Sequence, residues 1–165
     1  MLPMLAGFNK YCPNRNRLSY GLFEPETVVA LMISEKRIEG MVIRFFENLG
    51  FRCVSQVRIL ERCVDVVGGK DGEIVSIELK VRHWKRAVKQ ALICRLWSHY
   101  VYIGFWHRFL PKDLSIFSEL GIGLLTVNSR NVEKILEPNI SEIIHLGLLE
   151  TLKEMLESSN DRTVV

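Results

Sequence analysis

No apolar run in the 165-residue chain reaches the roughly 18 consecutive residues needed for a membrane-spanning helix. The opening residues, Met1 to Phe8, have neither the basic front nor the long apolar stretch of a secretion signal. A cytoplasmic protein is therefore the expectation. The four cysteines, Cys12, Cys53, Cys63 and Cys94, form no Cys-x-x-Cys pair, and no histidine stands at zinc-site spacing from them. That argues against a structural zinc. In a reducing compartment they are expected to stay thiols and pack as small apolar residues. There is no internal repeat, low-complexity tract or evident linker. Residues 34–165 are expected to form a single domain behind an N-terminal extension, 1–33. Charged residues make up 25% of the chain and hydrophobic ones 48%, which excludes wholesale disorder.

Acid is missing from one long stretch. From Leu79 to Lys112 there is no Asp or Glu, while Lys80, Arg82, Lys85, Arg86, Lys89, Arg95, Arg108 and Lys112 are basic. The net charge of +3 hides this asymmetry, for residues 1–112 carry 18 basic and 10 acidic groups and residues 113–165 carry 4 and 9. Such a stretch suits a polyanion, or else it is a plain solvated face.

Within the extension, a polar arm over 9–20 and a short helix over 26–32 are expected and carry no assigned chemistry. Ser34 reads as an N-cap, and Ile38, Val42, Phe45, Phe46 and Leu49 recur at helical spacing before Gly50. A helix is thus predicted over 35–49. Strands are predicted over 51–60, 62–67 and 74–81, the last two flanking Gly68-Gly69-Lys70-Asp71-Gly72, a hairpin signal. A helix over 84–97, a strand over 100–105, a short helix from Pro111 to Leu120, a strand over 121–127 and a last amphipathic helix after Pro138 complete the order. The result is an α/β fold, a mixed sheet covered by helices.

If Asp71-Gly72 are the two central residues of a type I′ turn, Lys70 pairs with Glu73 and Asp65 lies opposite Glu78. Facing side chains in an antiparallel pair have Cβ atoms roughly 4.5–5.5 Å apart, so the two carboxylates repel unless a proton or cation lies between them. Two-residue spacing puts Lys80 on the face of Glu78, while Val75, Ile77, Leu79 and Val81 point the other way. Two hard oxygen ligands beside one ammonium suit a Mg²⁺ site for phosphate chemistry. A turn at Gly68-Gly69, or the whole five-residue loop, would shift this register. The pattern would then be an exposed, salt-bridged hairpin.

Val64-Asp65 followed by Ile77-Glu78-Leu79-Lys80, after a helix containing Glu39 and before a helix containing Gln90, resembles the PD-(D/E)xK nuclease superfamily. The nearest likeness is to archaeal Holliday-junction resolvases and the restriction-endonuclease-like proteins related to them. The order αβββαβ over residues 35–105 is similar to that superfamily's core, here with an extra C-terminal strand and helix. Gly121 to Val127 looks like a strand found in many microbial members, which extends the resemblance to about residue 128. Val64 stands where a Pro is usual.

The resemblance implies that Asp65, Glu78 and the backbone carbonyl of Leu79 bind Mg²⁺, with Mn²⁺ as a substitute. It implies that Lys80 assists the attacking water, that Glu39 adds a carboxylate, and that Gln90 steadies the site or contacts the strand being cut. It implies an endonuclease acting on DNA. Arg82, His83, Lys85, Arg86 and Lys89 are the candidates for contact with nucleic acid. Arg82, Arg86 and Lys89 share one helical edge if the helix extends back to residue 82. Each has a blander reading: Glu39 reaching solvent, Gln90 a surface residue, His83 and Trp84 closing a strand end. His99, His107 and His145 lack clustered partners. Two alternatives stand beside the nuclease. One is a catalytically silent nucleic-acid-binding module on the same fold. The other is a scaffold that dimerises through its apolar C-terminal helix.

Overall fold

The computed structural model describes residues 35–80 and 83–158. The N-terminal extension with its expected arm and helix lies outside the described residues, as do Val81 and Arg82.

Helix α1 (Glu35–Asn48) leads into three antiparallel strands, β1 (Arg52–Ile59), β2 (Arg62–Lys70) and β3 (Glu73–Lys80). Helix α2 (Trp84–Cys94) then carries the chain over to β4 (Tyr100–Trp106), which runs parallel to β3. After a 3₁₀ turn (His107–Phe109) and the short α3 (Ser115–Glu119), β5 (Gly123–Val127) adds in parallel to β4. Strand β6 (Val132–Leu136) closes that edge antiparallel, and α4 (Leu146–Ser158) ends the described chain. The mixed sheet has six strands in the order β1-β2-β3-β4-β5-β6, and its first six elements follow the expected order αβββαβ.

The sheet is covered on both faces. Ile38, Val42 and Phe46, the inner stripe of α1, pack on Val66, Val75, Ile77 and Leu79. Each such side chain contributes roughly 1.5–3 kcal/mol by leaving water. Leu49, expected in the same stripe, is 40% exposed, because the helix ends at Asn48 and Gly50 turns the chain with φ 87°. On the other face Ala87, Val88, Ala91 and Cys94 of α2 and Leu149, Leu152 and Leu156 of α4 pack on Val67, Ile74, Ile103 and Phe105. Gly69 admits α4: a Cβ there would stand 2.7 Å from Leu156 Cδ1.

The hairpin turns as predicted. Asp71 (φ 51°) and Gly72 (φ 82°) both take the left-handed conformation that a type I′ turn requires, and Lys70 pairs with Glu73. Other boundaries differ. Strand β6, in a stretch to which the sequence assigns no element, is an edge strand whose three central residues are exposed, so it lacks the apolar pattern of its neighbours. Helix α4 begins at Leu146, later than the start expected just after Pro138, and Ile140 and Ile143 are exposed in the irregular approach to it. Helix α2 begins at Trp84 with left-handed His83 (φ 63°) as its cap, and Arg82, the first member of the expected basic edge, lies outside the described residues. Cys53 and Cys94 are free thiols as expected, whereas Cys63 is disulfide-bonded.

Candidate active site

The candidate site lies where β2 and β3 part. Their ladder ends at the pair Val66↔Ile77, one step short of Asp65 and Glu78. Beyond it the backbone N–H of Leu79 donates to Asp65 Oδ2 at 2.7 Å, so a side chain replaces a strand neighbour. The two-residue alternation also breaks here. Val64 packs with the α2/α4 face and Val66 with the α1 face, although they are two residues apart. Across from them on β1, Val54 and Val57 share one face, and Gln56 between them has φ 52°. A non-glycine residue in that region carries roughly 1–2 kcal/mol of strain.

Glu78 faces the α2 side, 2% exposed, while Ile77 and Leu79 face α1. Lys80 returns to the Glu78 side. Its Nζ lies 3.5 Å from Asp65 Oδ2 and 3.8 Å from Glu78 Oε2, and it donates to the Leu79 carbonyl at 2.8 Å. One ammonium thus stands among the three oxygen groups proposed as metal ligands on sequence grounds. Burial is the main reason the Glu78 carboxyl is pushed up to about 8; the Asp65 charge adds to this and Lys80 opposes it. The Cys94 thiol donates to Glu78 Oε1 over 3.8 Å, and burial holds that thiol well above its ordinary range.

The other candidates divide. Gln90 and Cys94, four residues apart on α2, line one cavity with Glu78. Glu39 does not join the two carboxylates; it accepts a hydrogen bond from Gln56 Nε2 at 2.8 Å. Among the described residues no three His, Cys, Asp or Glu side chains gather as a metal site. Lys85, Arg86 and Lys89 are exposed on α2, with Lys85 Nζ 5.7 Å from the centre of the Trp84 ring. His83 is exposed, and its carbonyl accepts the N–H groups of Arg86 and Ala87. His99 is structural: its Nδ1 accepts the Ile74 N–H at 2.9 Å.

Two site residues escaped the sequence reading. Gln56 falls opposite Asp65 in the β1–β2 register, in which Ser55 pairs with Val66 and Val57 with Val64. The turn setting that register, Leu60-Glu61, has none of the usual turn residues, so it gave no signal. Cys94 was readable as the helical neighbour of Gln90.

No family model matches the chain, and no curated protein matches it. Among solved structures it is similar to a protein of unknown function from Silicibacter pomeroyi, with TM-score 0.62 and 21% identity, covering 78% of this chain and 86% of that one. That likeness shows a shared fold. Weaker matches are the protein of unknown function AF1548 (TM-score 0.47, 18% identity, covering 73% of this chain and 67% of that one) and Pyrococcus furiosus SfsA in complex with Ca²⁺ (TM-score 0.37, 13% identity, 72% and 65%). Among the described residues no helix is long and apolar enough to cross a membrane.

Proposed function

We propose that the chain is a Mg²⁺-dependent nuclease that hydrolyses DNA phosphodiester bonds at Asp65, Glu78 and Lys80. The observation that carries this reading is the convergence of the three side chains: Lys80 Nζ is within 4 Å of both carboxylates, at 3.5 and 3.8 Å. The αβββαβ order and the acid-free stretch supplying α2 with Lys85, Arg86 and Lys89 support it further.

The donor set fits a small hard cation. It consists of two carboxylates and a backbone carbonyl, with Glu78 Oε2 buried and lacking a hydrogen-bond partner. Mg²⁺ commonly takes one or two carboxylates and fills the rest of its shell with water and substrate phosphate. Asp65, Glu78 and the Leu79 carbonyl would hold it, with Mn²⁺ as a substitute. When bound, it would lower the pKa of a water and offset charge on the phosphate. Lys80, released from its present contacts, orients that water and stabilises charge on the oxygens of the phosphorane-like transition state. Glu39 holds Gln56 on β1, the strand paired with the one that carries Asp65. Gln90 lines the floor of the cleft and contacts the strand being cut. The cations of α2, with His83 at its start, grip the backbone of the DNA.

The scaffold alternative has less to build on, because α4 spends Leu149, Leu152 and Leu156 within its own chain. The deciding experiment incubates the purified protein, with Mg²⁺ or Mn²⁺, with branched, flapped, duplex and single-stranded DNAs. Cleavage should be seen for at least one of them, should be lost in chelator, and should fall at least about 10²-fold in Asp65→Asn and Lys80→Met. No cleavage of any substrate by the wild type, or undiminished cleavage by both variants, would remove this assignment.

A further inference from the structure

The two carboxylate oxygens of Glu78 meet different neighbours. Oε2 lies 3.8 Å from Lys80 Nζ and has no hydrogen-bond partner. Oε1 accepts the Cys94 thiol over 3.8 Å. The last torsion of a glutamate is broad and roughly two-fold, with no strong preference of its own. The plane of the carboxylate is therefore set by what touches it. On the α2 side Glu78 shares its cavity with Val64, Gln90, Cys94 and Trp97. Cys94 is itself firmly held. It is the last residue of α2, buried in one stripe with Ala87 and Ala91. Its carbonyl accepts the N–H groups of Trp97 and Ser98 in the turn that follows.

We infer that Cys94 is a positioning residue of the candidate metal site: its thiol holds Glu78 Oε1 and so presents Oε2 on the Lys80 side, which Asp65 shares. The inference deepens the nuclease reading and rests on it for the metal's part in cleavage. A thiol suits this task. It is a weak donor with a single hydrogen, so it steers the carboxylate without neutralising it as a second ammonium would. As a soft group it does not compete with oxygen for Mg²⁺. Carboxylates that hold metal ions are commonly hydrogen-bonded in turn, and removing such a partner costs roughly 10–100-fold in metal affinity. Cys94 stands in that relation to Glu78, on a rigid helix rather than a loop.

The test reads metal binding apart from cleavage. Metal-free protein is titrated with Mn²⁺, and the free ion is followed by electron paramagnetic resonance. Cys94→Val, which fills the space of the thiol without a donor, and Cys94→Ala should each bind Mn²⁺ about tenfold or more weakly than the wild type. Cys94→Ser differs from Cys94→Ala by a hydroxyl donor alone and should bind on the order of fivefold more tightly than it. A purely structural role would not produce that order, because Val keeps the volume of the thiol better than Ser does. In parallel, the Raman S–H band of Cys94, isolated by subtracting the matching spectrum with Cys94→Ser, should rise in frequency in Glu78→Leu, which has no acceptor. Equal Mn²⁺ affinity in all four proteins, or a band that Glu78→Leu leaves in place, would overturn the inference even where the protein cuts DNA. The expected order of affinities in a protein that cuts no DNA would uphold Cys94 and sink the nuclease reading instead. A wild type that binds no Mn²⁺ would overturn both.

Discussion

Asp65 accepts the backbone N–H of Leu79 through its carboxylate, 2.7 Å away, where β2 and β3 have stopped pairing. A side chain standing in for a strand keeps Leu79 satisfied while the backbones separate. The opening leaves room for Lys80 Nζ to reach the Leu79 carbonyl and both carboxylates. The arrangement balances charge locally.

Lys80 is a built-in competitor for any cation at this site. Replacing it in Lys80→Met should lower the stability of the metal-free protein, because part-buried Asp65 loses the cation beside it. It should also increase the thermal shift produced by Mg²⁺ or Mn²⁺. In the wild type, metal at 100 times its dissociation constant should add about 2.7 kcal/mol, or roughly 5–11 °C for a chain of this length. Asp65→Asn should abolish the shift. Differential scanning calorimetry with and without metal decides the matter; equal shifts in all three proteins would place the metal elsewhere.

The pH dependence follows from Glu78, whose carboxyl is raised from 4.5 to about 8, first by burial and then by Asp65. Between those values the folded state keeps a proton that the unfolded chain has released. This contribution is therefore fully present below about pH 4.5 and is lost as pH rises through 8. In the absence of metal, the melting temperature of the wild type relative to Glu78→Gln should decline steadily from pH 5 to pH 8.5. A difference that stays flat over this window would show that Glu78 is charged throughout.

The basic edge of α2 predicts a salt response. Lys85, Arg86 and Lys89 are exposed, and cations that contact phosphate release counterions. Changing all three to Ala should reduce the slope of log binding constant against log salt by up to about 3. Affinity should fall alike for every sequence, because phosphate contacts carry no base information. Fluorescence anisotropy on two unrelated DNAs at several salt concentrations reads both effects. An unchanged slope would make this edge a solvated surface.

The hairpin was legible because Asp71-Gly72 meets a strict backbone requirement, positive φ at both positions. From that turn the common face of Glu78 and Lys80 followed by counting. What counting could not supply was the end of the ladder at Val66↔Ile77. That break depends on Asp65 bonding to a residue on another strand, a tertiary event. The turn at Leu60-Glu61 hid Gln56 for a related reason: Leu60 takes φ 52° without being Gly, Asn or Asp. Strand β6 was missed because an edge strand with exposed Glu133, Lys134 and Ile135 needs no apolar alternation. Glu78, Gln90, Cys94 and Trp97 line one cavity although they come from β3, α2 and the turn after it, and only packing brings them together.

The six strands lie side by side in the order in which the chain makes them. Each newly formed strand therefore finds its partner waiting as the one made just before it, and none must be threaded between earlier ones. Closing short segments of chain is inexpensive and fast compared with joining distant ones. Gln56, Asp65, Glu78, Lys80, Gln90 and Cys94 all belong to one unbroken stretch running from β1 to the end of α2. The groups of the candidate site can thus assemble while the ribosome is still adding the second half of the sheet, which is laid down afterwards like boards against a frame.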